Sequence, residues 1–194
     1  MMVVGVGCGP GMMTVEAIDR LRKASKIFGS ARSIELAGEY IPSGCAVTAI
    51  EDYSRLHELP EDAVVLSTGD PMLAGLGLLG GEVVPGISSM QCAFSRLRLP
   101  LTQAVVVDAH GKDAEAAMTE MLDELERGRI PFVLTGPDFD LDALTAMMTK
   151  RDIECTMVLC EELGYPNESI SFGNAEHPPM ASSRLFSLIL ANGR

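Results

Sequence analysis

Residues 67–89 read STGDPMLAGLGLLGGEVVPGISS, and the way this stretch is punctuated decides the fold. Ahead of it stands a short apolar run, Ala63, Val64, Val65 and Leu66, with strand character. The run stops in turn chemistry at Ser67, Thr68, Gly69, Asp70 and Pro71, so a strand end delivers one carboxylate, Asp70, onto a tight loop. Val83 and Val84 form a second apolar run, which ends at Pro85 and Gly86 and passes through Ser88 and Ser89 into a helix. Two strands thus present small polar residues and open backbone at their carboxyl ends, where open parallel sheets bind ligands. Function is expected there.

Upstream, residues 2–6 form an apolar strand that runs into Gly5, Gly7, Gly9, Pro10 and Gly11. A helix follows, with Thr14 as its N-cap and Val15, Ile18 and Leu21 along one face. Strand, glycine loop and helix open a βαβ unit, in which backbone N–H groups at the helix start can meet a ligand. A dinucleotide fingerprint fails in both registers: GxGxxG begun at Gly5 meets Pro10 at its third glycine, and begun at Gly7 meets Met12. A phosphate loop fails too, because no Lys-Ser or Lys-Thr pair follows the glycines. Two readings remain: a loop that lets something approach the backbone, or a turn whose glycines satisfy geometry alone.

The pattern then predicts a strand over 26–29, a helix over 30–36 ended by Gly38, a strand over 46–50 and a polar helix or loop over 51–59 with His57 exposed. Residues 88–97 read as a helix, with Met90, Ala93, Phe94 and Leu97 on one face and Ser88 or Ser89 as its cap. Arg96 and Arg98 at its far end complement the helix dipole or anchor a polyanion. An apolar strand over 104–107 gives way to Asp108, Ala109, His110, Gly111 and Lys112, after which the composition turns acidic and helical, with Met118, Met121, Leu122 and Leu125 on one face and Gly128 closing it. We place a domain boundary at this change, giving α/β domains of residues 1–109 and 110–194 with His110 at the hinge, beside the expected cleft.

The second half repeats the alternation. A strand over 132–134 ends at Thr135, Gly136 and Pro137, a helix carries Leu141, Leu144 and Met148, a strand over 154–159 runs to Cys160 and Glu161, and residues 184–191 form a buried terminal strand. Asp138, Asp140 and Asp142 with Glu161 and Glu162 lack calcium-loop spacing and fit a solvated helix start, so no metal site is read.

Composition bounds the rest. The 194 residues suffice for one domain or two small ones, and with 47% hydrophobic content but no Trp, aliphatic side chains and twelve Met build the interior. No apolar run approaches the roughly 18–20 residues that span a bilayer, and the N-terminus lacks a basic leader, so a soluble cytoplasmic protein is expected. Five cysteines without CxxC spacing indicate neither a disulfide framework nor a zinc site, and Cys92 reads as a small core residue. A net charge of −12 disfavours nucleic acid and anionic membranes as partners, while leaving room for an acidic small molecule held by local arginines and lysines.

Six segments in order carry a family resemblance: GVGCGPG (5–11), STGDP (67–71), VVPGISS (83–89), AVVVDAHGK (104–112), FVLTG (132–136) and CEELGYPNESI (160–170). Together they resemble the tetrapyrrole methylase superfamily, and within it the branch that methylates C5 of a precorrin-type macrocycle in cobalamin biosynthesis. The resemblance implies two small α/β domains with a ligand cleft between them, S-adenosylmethionine as cofactor, a precorrin-type tetrapyrrole as substrate, and a homodimer. Carried over by position, the cofactor contacts fall on Cys8, Gly9, Gly69, Asp70, Leu73, Ser88 and Ser89 in the first half, and on Leu134, Thr135, Cys160 and Glu161 in the second, with Phe186 a further adenosine contact.

Asp70 is assigned to positioning the cofactor, His110 to proton transfer or a propionate contact, and Arg96, Arg98, Lys112 and Arg32 to the substrate carboxylates. Cys8 stands where relatives commonly carry proline. A fused domain for C15 methylation and decarboxylation, present in some relatives, is expected as a separate protein. Two other classes stay open beside a methylase of different substrate: a nucleotide-binding oxidoreductase or regulatory module using the first loop, and a non-catalytic tetrapyrrole carrier.

Overall fold

Residues 1–110, 113–136 and 138–192 are described by the computed structural model. The chain forms two units, Met1–Cys92 and Ala93–Arg194. In the first, β1 (Met2–Gly5), β2 (Lys26–Gly29), β3 (Ala46–Ala49), β4 (Val64–Ser67) and β5 (Glu82–Val84) make a sheet of order β3-β2-β4-β1-β5. All four pairings are parallel. The connecting helices are α1 (Val15–Leu21), α2 (Ala31–Ala37) and the single turn α3 (Pro71–Ala74), and α4 (Ser89–Leu97) follows β5. Thr14 Oγ1 accepts the Ala17 N–H at 3.1 Å and Ser30 Oγ the Ser33 N–H at 3.1 Å, so both first helices begin where their caps predict. Val4, Val6, Leu21, Ile27, Leu66 and Val84 are buried together, each aliphatic side chain contributing about 1.5–3 kcal/mol. The register of β1, Gly5 opposite Ser67 on one side and Val4 opposite Val84 on the other, brings the carboxyl ends of β4, β1 and β5 side by side.

The second unit holds β6 (Ala104–Ala109), α5 (Ala114–Glu126), β7 (Ile130–Thr135), α6 (Leu141–Lys150), β8 (Thr156–Glu161), β9 (Ser169–Gly173) and β10 (Phe186–Ala191). Its sheet runs β6-β7-β10-β8-β9, with β6 and β7 parallel and the other neighbours antiparallel. The face of α5 read from the sequence, Met118, Met121, Leu122 and Leu125, packs with Leu144, Met148 and Leu159 in one core. Leu188, Ile189 and Leu190 of β10 are fully buried, as expected of a strand inserted between two others.

Three sequence expectations change here. The division falls at 92/93 rather than at 109/110, because β6 pairs with β7 along its whole length, from Ala104 opposite Ile130 to Ala109 opposite Thr135. The acidic turn in composition after it marks the start of α5, capped by Asp113, and no break between units. Strand β9, SISFG, is a polar edge strand without an apolar run to announce it. The second half therefore does not simply repeat the parallel alternation of the first.

Candidate functional site

At the carboxyl ends of β1, β4 and β5 three glycines bring backbone against backbone. A Cβ on Gly5 would lie 2.6 Å from the Gly86 nitrogen and 2.8 Å from the Gly69 carbonyl oxygen, and one on Gly86 would collide with that same oxygen. Gly69 has φ +72°, and it exchanges two backbone hydrogen bonds with Gly7, the Gly69 N–H donating at 2.8 Å and the Gly7 N–H at 3.3 Å. The glycines are thus required by close approach and by left-handed geometry. Asp70 ties the turns together. Its Oδ1 accepts the Met72 N–H at 2.8 Å and the Leu73 N–H at 3.4 Å, capping α3, and its Oδ2 accepts the Gly86 N–H at 3.0 Å. Through these three hydrogen bonds Asp70 fixes its own loop.

The first glycine loop folds back on itself, with the Met12 N–H donating to the Gly9 carbonyl at 3.3 Å and the Met12 backbone lying over Gly7, where a Cβ would have no room. This brings Met12 Sδ to 3.5 Å from Cys8 Sγ and 3.6 Å from Cys92 Sγ, the two cysteine sulfurs being 3.1 Å apart. Cys92 is buried as the sequence suggests, but its neighbour across the fold was not legible. Ser88 and Gln91 form a capping box at α4: Ser88 Oγ accepts the Gln91 N–H at 3.2 Å, and Gln91 Oε1 accepts the Ser88 N–H at 2.8 Å. Ser67, the last residue of β4, is fully buried, and its hydroxyl has no hydrogen-bond partner among the described residues.

In the second unit Leu134, Thr135, Cys160, Glu161 and Phe186 share one end of the sheet, since Ser187 stands opposite both Leu134 and Cys160, and Phe186 opposite Glu161. Thr135 Oγ1 donates to the Phe186 carbonyl at 2.5 Å. Glu161 is buried, and its Oε1 accepts the N–H groups of Ser182 and Ser183, both at 2.6 Å, and the Ser182 hydroxyl at 3.0 Å. Its carboxylate is committed to that loop, so what it offers a ligand is the fixed position of residues 182–183. Cys160 is buried in the strand, and desolvation, with the Glu168 charge nearby, pushes its thiol up to about 12. A recess of about 420 Å³ beside the Glu161-held loop is lined by Phe139, Asp140, Ser182, Ser183, Arg184 and Phe186 among others.

His110 is exposed at the end of β6, its N–H donating to Asp108 Oδ1 at 3.0 Å, and its Nδ1 lies 3.7 Å from where a Cβ on Gly136 would stand. It therefore shares the sheet end of Thr135. Arg96, expected to meet substrate carboxylates, is held by Glu168, Nε to Oε1 at 2.8 Å, whereas Arg98 is exposed with φ 53° at the end of α4. Lys112, Gly111 and Pro137 lie outside the described residues. Asp140 caps α6, its Oδ1 accepting the Ala143 N–H at 2.9 Å.

A parallel sheet with glycine-lined loops at three adjacent strand ends, joined in sequence to a mixed second sheet, is the architecture of a class of methyl-transferring enzymes. The family model of the Tetrapyrrole (Corrin/Porphyrin) Methylases matches residues 2–179, and the chain belongs to that family. It is similar to a Methanocaldococcus jannaschii protein named probable cobalt-precorrin-7 C(5)-methyltransferase, with 27% identity over 190 residues and 88% of each chain covered. Among solved structures it is similar to cobalamin biosynthesis precorrin-6Y methylase from Archaeoglobus fulgidus, with 28% identity, a TM-score of 0.75, and 100% of this chain and 98% of that one covered. Uroporphyrin III C-methyltransferase from Thermus thermophilus shares the fold, with a TM-score of 0.71 at 20% identity over 98% of this chain and 91% of that one. The protein is an S-adenosylmethionine-dependent methyltransferase.

The first-unit residues fit such a cofactor. The Asp70 carboxylate holds the Gly69 and Gly86 turns in fixed relation, and the buried Ser67 hydroxyl has no hydrogen-bond partner among the described residues. Among the described residues no helix is long and apolar enough to cross a membrane, and no group of three His, Cys, Asp or Glu side chains is placed to hold a metal ion.

Proposed function

We propose that this protein methylates C5 of a precorrin-type tetrapyrrole, a cobalt-precorrin, in cobalamin biosynthesis. The observation that carries the reading is the likeness over nearly the full length of both chains to the Archaeoglobus precorrin-6Y methylase, at 28% identity. The Methanocaldococcus relative, named for a C(5)-methyltransferase, supports the same carbon.

S-adenosylmethionine, when bound, supplies an electrophilic methyl group on a sulfonium sulfur. What the chain must add is position, because an in-line displacement gains up to about 7–11 kcal/mol from holding nucleophile and electrophile in register. We assign Cys8, Gly9, Gly69, Asp70, Leu73, Ser88 and Ser89 to holding the cofactor from the first unit, and Leu134, Thr135, Cys160, Glu161 and Phe186 from the second. Asp70 acts through the turn it clamps and Glu161 through the Ser182–Ser183 loop. A partly reduced pyrrole carbon flanked by ring nitrogens is enamine-like and attacks without prior deprotonation, so a strong base is not required. His110 is assigned to taking up a proton afterwards or to meeting a propionate, and Arg98 and Arg32 to the substrate carboxylates. We also assign a cytoplasmic homodimer to the protein, a state that sedimentation velocity checks.

The test begins with calorimetric titration by S-adenosylmethionine, S-adenosylhomocysteine and NAD, followed by incubation with cobalt-precorrin substrate and mass analysis. Binding of the two sulfur nucleosides and gain of one methyl group on the macrocycle at C5 is expected. Binding of NAD alone would return the protein to the oxidoreductase class.

A further inference from the structure

Three sulfur atoms meet at the first glycine loop, and the methyl-transfer step proposed above needs no thiol as nucleophile or base. Cys8 Sγ and Cys92 Sγ are 3.1 Å apart, about 1 Å more than a covalent S–S bond. Each cysteine is 5% exposed, whereas the next loop residues, Pro10 and Gly11, are open to solvent, so a small oxidant has a short path to the pair. Met12 Sδ lies within reach of both thiols as an acceptor and holds them on one side. The other two buried cysteines, Cys155 and Cys160, sit in the second unit.

We propose that Cys8 and Cys92 form a redox latch: oxidation by a hydroperoxide joins them in a disulfide that fastens the first glycine loop to α4 and weakens cofactor binding. One thiolate sulfur attacks the peroxide, so that an S–O bond forms, the O–O bond breaks and hydroxide leaves. The second sulfur then attacks the sulfenic sulfur, so that the S–S bond forms and the S–O bond breaks. Two thiols are oxidised, one hydrogen peroxide is reduced, and the two thiol protons leave in two waters.

The latch acts on binding because the loop cannot follow the shortened sulfur pair freely. On one side it is fastened by the double backbone bridge between Gly7 and Gly69, and on the other α4 is fixed by the Ser88–Gln91 capping box. Closing the pair must shift one of these, and both belong to the set assigned to the cofactor. In this respect the latch rests on the methyltransferase reading, whereas formation of the bond does not.

The experiment treats the full-length reduced protein with hydrogen peroxide and digests it with trypsin without reduction. Cys8 and Cys92 fall in peptides 1–20 and 56–96, each with a single cysteine. The expected result is a cross-link between these peptides with loss of two hydrogens, together with about tenfold weaker S-adenosylhomocysteine binding, the size of an ordinary coupling between sites. Dithiothreitol should restore both, which separates the disulfide from methionine sulfoxide, a product that a thiol reagent leaves in place. Cys92→Ser should lose the cross-link and the response to peroxide.

Oxidised protein in which both thiols are still alkylated and no cross-link appears would overturn the pair. A cross-link with unchanged affinity would overturn the latch. Reduced protein that binds no sulfur nucleoside would overturn the methyltransferase reading and with it the latch, and the peptide map reports on the disulfide in every case.

Discussion

The carboxylate of Asp70 accepts the backbone N–H of Gly86 at 3.0 Å, across a sequence distance that spans α3 and β5. One side chain thereby caps a helix and fixes the turn that leads into α4. Asp70→Ala should cost about 2–4 kcal/mol, from a lost cap and a lost hydrogen bond to a charged group. It should also weaken cofactor binding, measured by thermal denaturation and calorimetry on the same preparation. Asp70→Asn, with one carbonyl oxygen for two sets of donors, should fall between. Unchanged affinity and turnover in Asp70→Ala would remove the residue from the site.

The three-glycine contact makes a sharp steric prediction. Gly5→Ala puts a Cβ 2.6 Å from the Gly86 nitrogen, where no flexible side chain can give way. A loss of about 3 kcal/mol is expected from such overpacking. Gly44→Ala, with open space around the new carbon, should stay within about 0.5 kcal/mol. Urea denaturation of the pair compares them directly, and equal midpoints would show that the strand ends can separate.

Glu161 predicts a loop phenotype. Replacing it with Ala removes the oxygen that accepts the Ser182 and Ser183 N–H groups and leaves both donors without it. A loss of about 2 kcal/mol is expected, with faster amide exchange confined to residues 181–184. Uniform exchange across the second unit would argue for a global effect instead.

The Arg96–Glu168 pair should carry a pH dependence. Burial raises the Glu168 carboxyl, but the Gly164 N–H and the Arg96 guanidinium together outweigh it and leave the group below its ordinary 4.5. A lowered folded value means that its stabilisation is complete above the ordinary value and is lost as pH falls through the folded one. The difference in melting temperature between wild type and Glu168→Gln should therefore be present at pH 7 and shrink in acid below 4.5. A difference that is constant with pH would assign the effect to packing.

Much of the first unit was legible because its signals are local. Turn residues end apolar runs at Ser67 and Pro85, Thr14 and Ser30 stand at helix starts, and small residues mark the strand ends where a ligand is met. Of the residues proposed for the cofactor, Gly69 and Asp70 stand just beyond β4 and Glu161 at the end of β8. The relationships across long sequence distance were not legible. Nothing near Asp70 announces Gly86, nothing near Cys8 announces Cys92, and nothing near Glu161 announces Ser182. The boundary shifted for the same reason: the partner of β6 is a strand further along the chain, and composition records only the neighbouring helix. Strand β9 escaped because its alternation rests on two apolar residues alone, Ile170 and Phe172, too short a pattern to stand out from the turn before it.

Strand β10 lies between β7 and β8, yet it is the last of the three in sequence. During synthesis β8 and β9 emerge and can pair as a hairpin, while β6 and β7 pair on their own. These halves have no hydrogen-bonded seam until residues 186–191 leave the ribosome. The second unit must wait for its final segment before its core can close, holding a gap with two unpaired strand edges open to whatever binds them. A protein built this way depends on its last strand for assembly as much as on its first loops for chemistry.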